Sequence, residues 1–203
     1  MIPRLADLGA QNYEARELVG KWAYSVEDYA RAELEFAAAK KLRSKIKPKP
    51  APDLAVSYLR GLICSLNEQY KKAVAWLEEA ASLAPDYGLF RFKLAENRLY
   101  LGQNPADSKI VGEFLAALEL LNDTDGQMAF YAGNLYVTFG NDQNAAVFFN
   151  KAMSASPDNE KFFENYYRCL MRLKKYSEAE ELLLQFQKRD PSVNLSPLLL
   201  QNN

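Results

Sequence analysis

The chain has 203 residues, 49% of them hydrophobic, and a net charge of -1. It can bury an ample core, and no overall field draws it to nucleic acid or to an anionic membrane. It contains no histidine, which removes the commonest general base, the Ser-His and Cys-His pairings and most zinc sites. Two cysteines, Cys64 and Cys169, rule out a disulfide scaffold and read as buried thiols. The opening residues Met1 to Asp7 contain no apolar stretch of signal-peptide length, and no segment approaches the run of about 20 apolar residues of a membrane span.

The first element that can be read is a helical stretch around Gly20, followed by Tyr29-x2-Ala32-x3-Phe36-x2-Ala39. From Lys40 to Lys49 there are six basic residues and no acid, running into Pro48-Lys49-Pro50-Ala51-Pro52. This reads as a frayed helix end and a stiff, solvated linker, since no aromatics interleave to stack bases. The phrase then returns as Tyr70-x2-Ala73-x3-Leu77-x2-Ala80-x4-Pro85, with Gly61 twelve residues before Ala73. Leu94, Ala95 and Gly102 open a further copy, but Lys109 to Leu121 carries four extra residues and no alanine-alanine spacing.

Asn122-Asp123-Thr124-Asp125-Gly126 fails as a calcium loop, because Leu121 and Ala132 would hold its first and last ligand positions; it reads as a turn. Gly133 precedes Asp142-x2-Ala145-x3-Phe149-x2-Ala152-x4-Pro157, and Tyr176-x2-Ala179-x3-Leu183-x2-Phe186-x4-Pro191 follows. Pro157 and Pro191 are 34 residues apart. A recurrence at that period marks stacked helical hairpins. A small residue on each helix of a pair, such as Gly20 and Ala32, lets the two axes approach closely.

In these residues the chain resembles the tetratricopeptide repeat (TPR) family. The resemblance covers most of the sequence and places repeats at 13–46, 54–87, 88–125 (degenerate), 126–159 and 160–193. Residues 44–53 form the basic, proline-rich linker, and residues 194–203 a tail or short cap. It implies an all-α, TPR-like α-solenoid of antiparallel helical hairpins wound into a right-handed superhelix, as a single array. In that family, positions 2, 5, 9 and 12 of each first helix face a bound segment on the concave surface. Carried over residue by residue, this implies partner-binding roles for Tyr24, for Tyr58 and Leu62, and for Phe92, Glu96 and Leu99. Further along it implies them for Phe130, Asn134 and Val137, and for Arg168 and Met171.

Tyr58, Leu62, Phe92, Leu99, Phe130 and Val137 make an apolar strip suited to an amphipathic helix or an extended peptide. Phe92 and Phe130 are its expected anchors, and Asn134 the group expected to hold a peptide backbone. The clamp by which some relatives hold acidic chaperone tails is absent: of Phe92, Glu96, Tyr131, Lys161 and Asn165, only Lys161 matches. The reading is therefore a non-catalytic scaffold or adaptor that binds a peptide or helix of a partner protein on its concave apolar face. The rival reading is a self-association or assembly module working through its convex face or ends, a homodimer included. No catalytic residue, metal, cofactor, nucleic acid or membrane insertion is implied. The compartment stays open, with cytoplasm preferred to periplasm.

Overall fold

A computed structural model describes residues 12–48 and 50–189, which form ten α-helices and no strand. The chain divides into two compact units, residues 1–101 and 102–203. The first holds α1 (Tyr13–Ser25), α2 (Tyr29–Arg43), α3 (Leu54–Leu66), α4 (Tyr70–Leu83) and α5 (Gly88–Tyr100). The second holds α6 (Ser108–Leu121), α7 (Gln127–Thr138), α8 (Asp142–Ala155), α9 (Glu160–Arg172) and α10 (Tyr176–Arg189). The cap expected of residues 194–203 lies outside the described residues.

Side-chain caps start most of the helices, though α4 and α5 begin without one. The side chains of Asn12, Asp28, Asp53, Asp107, Asn141 and Asn159 accept hydrogen bonds from backbone N–H groups in the first turns of α1, α2, α3, α6, α8 and α9. These bonds satisfy donors that a helix end otherwise leaves bare. The acidic turn before α7 works the same way. Asp123 accepts from the N–H groups of Met128 at 3.1 Å and Ala129 at 2.8 Å, and Asp125 from Gln127 at 3.1 Å.

A left-handed residue follows α1, α3, α5, α7 and α9 alike. Glu27, Glu68, Gly102, Gly140 and Lys174 occupy the same register and all have φ between 57 and 86°. Glycine adopts this left-handed geometry without cost, whereas Glu and Lys are strained there by their Cβ.

The glycines make close contacts with the second helix of each pair. A Cβ on Gly20 would lie 2.5 Å from the Phe36 ring, one on Gly61 2.7 Å from Leu77, and one on Gly133 2.6 Å from Phe149. Each glycine therefore seats the bulky side chain sixteen residues later, and not only the alanine twelve residues later. Phe36, Leu77 and Phe149 are fully buried as a result. In the fifth hairpin Tyr167 replaces the glycine, and packing shifts to a stack of Phe163 on Phe186 at 4.2 Å.

The third copy is more regular than its letters suggest. Helix α6 buries Ile110, Phe114 and Ala117, the spacing of Ala32, Phe36 and Ala39 with isoleucine in the first place. Its extra residues fall in the connection 101–107 and leave the helix intact. Inside the second unit Phe114 meets Tyr136 and Phe148 edge-on at 5.9 and 5.8 Å, while Tyr136 stacks on Phe148 at 5.3 Å.

The first unit also buries charge, and it does so in pairs. Arg43 binds Glu17, Arg60 binds Glu33, and Ser57 donates to Glu79 at 2.8 Å. Lys40 and Arg60 both lie over the Trp76 ring, at 4.3 and 4.0 Å from its centroid. Two of the six basic residues of the run, Lys40 and Arg43, are thus spent on packing and belong to helix α2, which ends at Arg43. Cys64 and Cys169 are free and buried.

Two glycine substitutions are expected to act in opposite directions. Glu68→Gly relieves left-handed strain and should raise stability by about 0.5–1 kcal/mol. Gly133→Ala drives a methyl into Phe149 and should cost about 1–2 kcal/mol after its gain in helix propensity. Urea midpoints of the two variants check both signs, and adding Phe149→Leu to Gly133→Ala should recover part of the loss.

Candidate partner-binding face

In the first unit, α1, α3 and α5 bring one end of each helix to a common groove of about 430 Å³. It is lined by Tyr24, Leu62, Ser65, Leu66, Tyr70, Lys93, Glu96 and Tyr100. Tyr24 ends α1, Leu62 to Leu66 end α3, Tyr70 starts α4 and Tyr100 ends α5. The three tyrosines are held in place by neighbours. Tyr24 packs on Tyr29 at 5.3 Å, and Tyr70 and Tyr100 stack on each other at 5.2 Å, only 15° from parallel.

Burial raises the pKa of Tyr24 and Tyr100 above the usual phenol value, so both keep their protons and remain donors. Charge at the groove is internally matched. Lys93 bonds Glu96 at 2.8 Å, and the Glu96 carboxylate is almost wholly buried. Apolar surface remains uncovered, with Leu66 60% and Tyr100 38% exposed. A second groove, formed by Glu68 to Lys72 with Tyr100 and Leu101, shares Tyr70 and Tyr100 with the first.

Of the residues proposed from the sequence, Tyr24, Leu62 and Glu96 meet in this groove. Tyr58 lies outside its lining, half-buried against Phe90 at 4.6 Å, with its phenol pushed up to about 12, chiefly by burial. Phe92 and Leu99 have no exposed surface and belong to the core. The apolar strip is therefore interrupted in the first unit by its own packing, and Phe92 offers nothing for a partner to grasp. Tyr70 and Tyr100 escaped the sequence reading. Tyr70 was visible only as the first letter of the repeated phrase, and Tyr100 follows the position taken by Leu99.

In the second unit, Phe130 is 7% exposed, stacked on Phe162 at 4.7 Å and covered by the Lys161 ammonium at 5.2 Å. The Asn134 amide donates to the Phe130 carbonyl at 3.0 Å, so one of its donors is already engaged within its own helix. Val137 and Met171 are half-buried, and Arg168 is exposed beside Glu164 at 3.7 Å. Among the described residues no group of three or more Cys, Asp or Glu side chains is placed to hold a metal ion, and no helix is long and apolar enough to cross a membrane.

Residues 54–87 and 126–159 match the tetratricopeptide repeat family. No curated protein matches the sequence significantly. Among solved structures, the chain is similar to YrrB, described as a TPR protein with an unusual peptide-binding site. The identity is 19%, the match covers 98% of this chain and 97% of that one, and the TM-score is 0.68. It is also similar to MamA, at 12% identity over 88% of this chain and 92% of that one, with a TM-score of 0.65. PilF of Pseudomonas aeruginosa matches at 15% identity over 95% and 82% of the two chains, with a TM-score of 0.57. At these identities the likeness is one of fold.

Burial makes one outcome specific. Phe92→Ala should cost about 3–5 kcal/mol of stability by leaving a core cavity, whereas Leu66→Asp, on exposed surface, should stay within about 0.5 kcal/mol. Thermal melts of the two variants check the contrast; equal melting points would place Phe92 on the surface.

Proposed function

From the premise that this chain is built of tetratricopeptide repeats, we propose that it is a non-catalytic adaptor holding a segment of a partner protein against α1, α3 and α5 of the first unit. Such repeats serve as protein-interaction scaffolds. The observation that carries the reading is the groove between Tyr24, Leu62, Leu66 and Tyr100: apolar, aromatic, ordered by packing and uncovered. Concave, mainly apolar surfaces with a few convergent polar groups are the usual form of a binding site. Aromatic side chains bury large area there at small entropic cost.

The face is narrower than the sequence suggests. Phe92 and Leu99 belong to the core, and Tyr24, Leu62, Leu66 and Tyr100 supply the contact in this reading. The reading leaves the convex surfaces free to join a larger assembly, but the uncovered aromatic groove favours capture of a partner segment over self-association.

A photo-reactive phenylalanine analogue placed at Tyr100 tests the proposal in cells of the native host. Cross-linking to a discrete partner is expected, reduced at least tenfold by Leu66→Asp and unchanged by Val147→Asp, which alters exposed surface of the other unit. Adducts of exactly twice the chain's mass would instead assign the groove to self-association. Equal cross-linking with and without Leu66→Asp would overturn the assignment of the site.

A further inference from the structure

A second surface of the first unit carries surplus charge, and none of its residues belongs to the groove. We propose that the C-terminal end of α2 and the linker after it, from Lys40 to Lys47, dock an acidic segment of a partner protein, one carboxylate of which enters the cavity beside Ser44.

From Phe36 to Pro52 the sequence holds six basic residues and no acid. Arg43 is taken by Glu17. Lys40 lies over the Trp76 ring, and Lys40, Lys41, Lys45 and Lys47 pair with no carboxylate among the described residues. All four lysines are exposed. The acids that flank the run are already engaged, Glu33 by Arg60, Glu35 by Arg16 and Asp53 by Lys21. Neutralising the lysines with one of these acids would break an existing pair.

Lys40 and Ser44 also line a cavity of about 80 Å³, with Arg43 and Arg60 beside them and Trp76 and Pro52 among its apolar walls. Two carboxylates face it, Glu17 and Glu79. The first holds Arg43, and the second accepts from Ser57 at 2.8 Å. Cations outnumber carboxylates in the lining, and the Ser44 hydroxyl adds a donor, now turned to the Lys41 carbonyl at 2.8 Å. A side-chain carboxylate suits this small space, because a charge leaves water only where opposite charge and hydrogen bonds meet it.

The surroundings choose the kind of partner. Single-stranded nucleic acid is held by a charged groove with aromatic rings on which bases stack, and the ring at hand, Trp76, is covered by Lys40 and Arg60. Outside the run acids outnumber bases, so a long polyanion crossing the patch meets repulsion on either side, and a short acidic segment does not. A lipid surface is gripped where an apolar helix face lies beside the lysines, but α2 turns Phe36 and Ala39 into the core. Lysines are point charges on separate flexible stems, so a run of Asp and Glu side chains meets them without forked geometry. Opposed patches of this kind steer association and are screened by salt.

The test uses the full chain and a fluorescein-labelled octaglutamate with an amidated C-terminus, followed by fluorescence anisotropy at low ionic strength. Saturable binding is expected, weakened at least fivefold by Lys41→Glu combined with Lys45→Glu. Lys151→Glu combined with Lys188→Glu makes the same change of net charge in the other unit and should leave binding within twofold. Lys40→Gln, common to patch and cavity, should weaken it at least threefold; no effect would overturn the entry of a carboxylate into the cavity. Absent binding overturns the inference, as does equal weakening by the two double variants, which would make net charge alone responsible. An oligouridylate or a phosphatidylserine vesicle bound more tightly than the octaglutamate overturns the choice of partner. Cross-linking at Tyr100 reads the groove alone, so each of these failures leaves the adaptor reading standing.

Discussion

The structure depends on a steric fit repeated in three hairpins: a glycine on one helix under a bulky side chain on the next. Phe36, Leu77 and Phe149 press on Gly20, Gly61 and Gly133 at distances no Cβ could share. The fit fixes which side of each second helix turns inward, and so which side of each first helix is left for other contacts. Glycine inside a helix costs about 1 kcal/mol against alanine. That cost is tolerated because a whole aromatic or leucine side chain is buried in exchange, which contributes more.

Once the hairpins are locked, polar groups near the core must find partners locally. The first unit solves this with ion pairs between neighbouring helices, Arg43 to Glu17 and Arg60 to Glu33, and with cations over Trp76. Breaking one member of a buried pair leaves an uncompensated charge, so such pairs serve register as much as stability. The same economy shapes the groove. Lys93 and Glu96 pair with one another beside the tyrosine rings and leucine methyls that line the groove.

Much of the fold was legible in the letters. The recurring alanine, bulky residue and proline mark hairpins at a period of 34, and Asn or Asp before six of the ten helices marks their starts. The third copy was harder, because Ile110 stands where alanine is usual and the insertion fell in the turn. Only the buried trio Ile110, Phe114 and Ala117 reveals the common spacing. The left-handed turns at Glu27, Glu68 and Lys174 were also hidden, since a glutamate or lysine gives no sign that its φ will be positive.

The candidate site was legible only in part. The resemblance to the repeat family implies one face for Tyr24, Leu62, Phe92, Glu96 and Leu99, and helical periodicity agrees for the three that share α5. Which of these side chains is then covered depends on neighbours distant in sequence. Phe92 and Leu99 are sealed while Leu66 and Tyr100 stay open, and Tyr70 arrives from a different helix to stack on Tyr100. Sequence alone therefore determined the helices, their pairing and the kind of surface, since all three follow from spacing within a few turns. Only the packed structure decided which apolar residues become core and which stay exposed, because solvent exposure is set by every element that packs over a position.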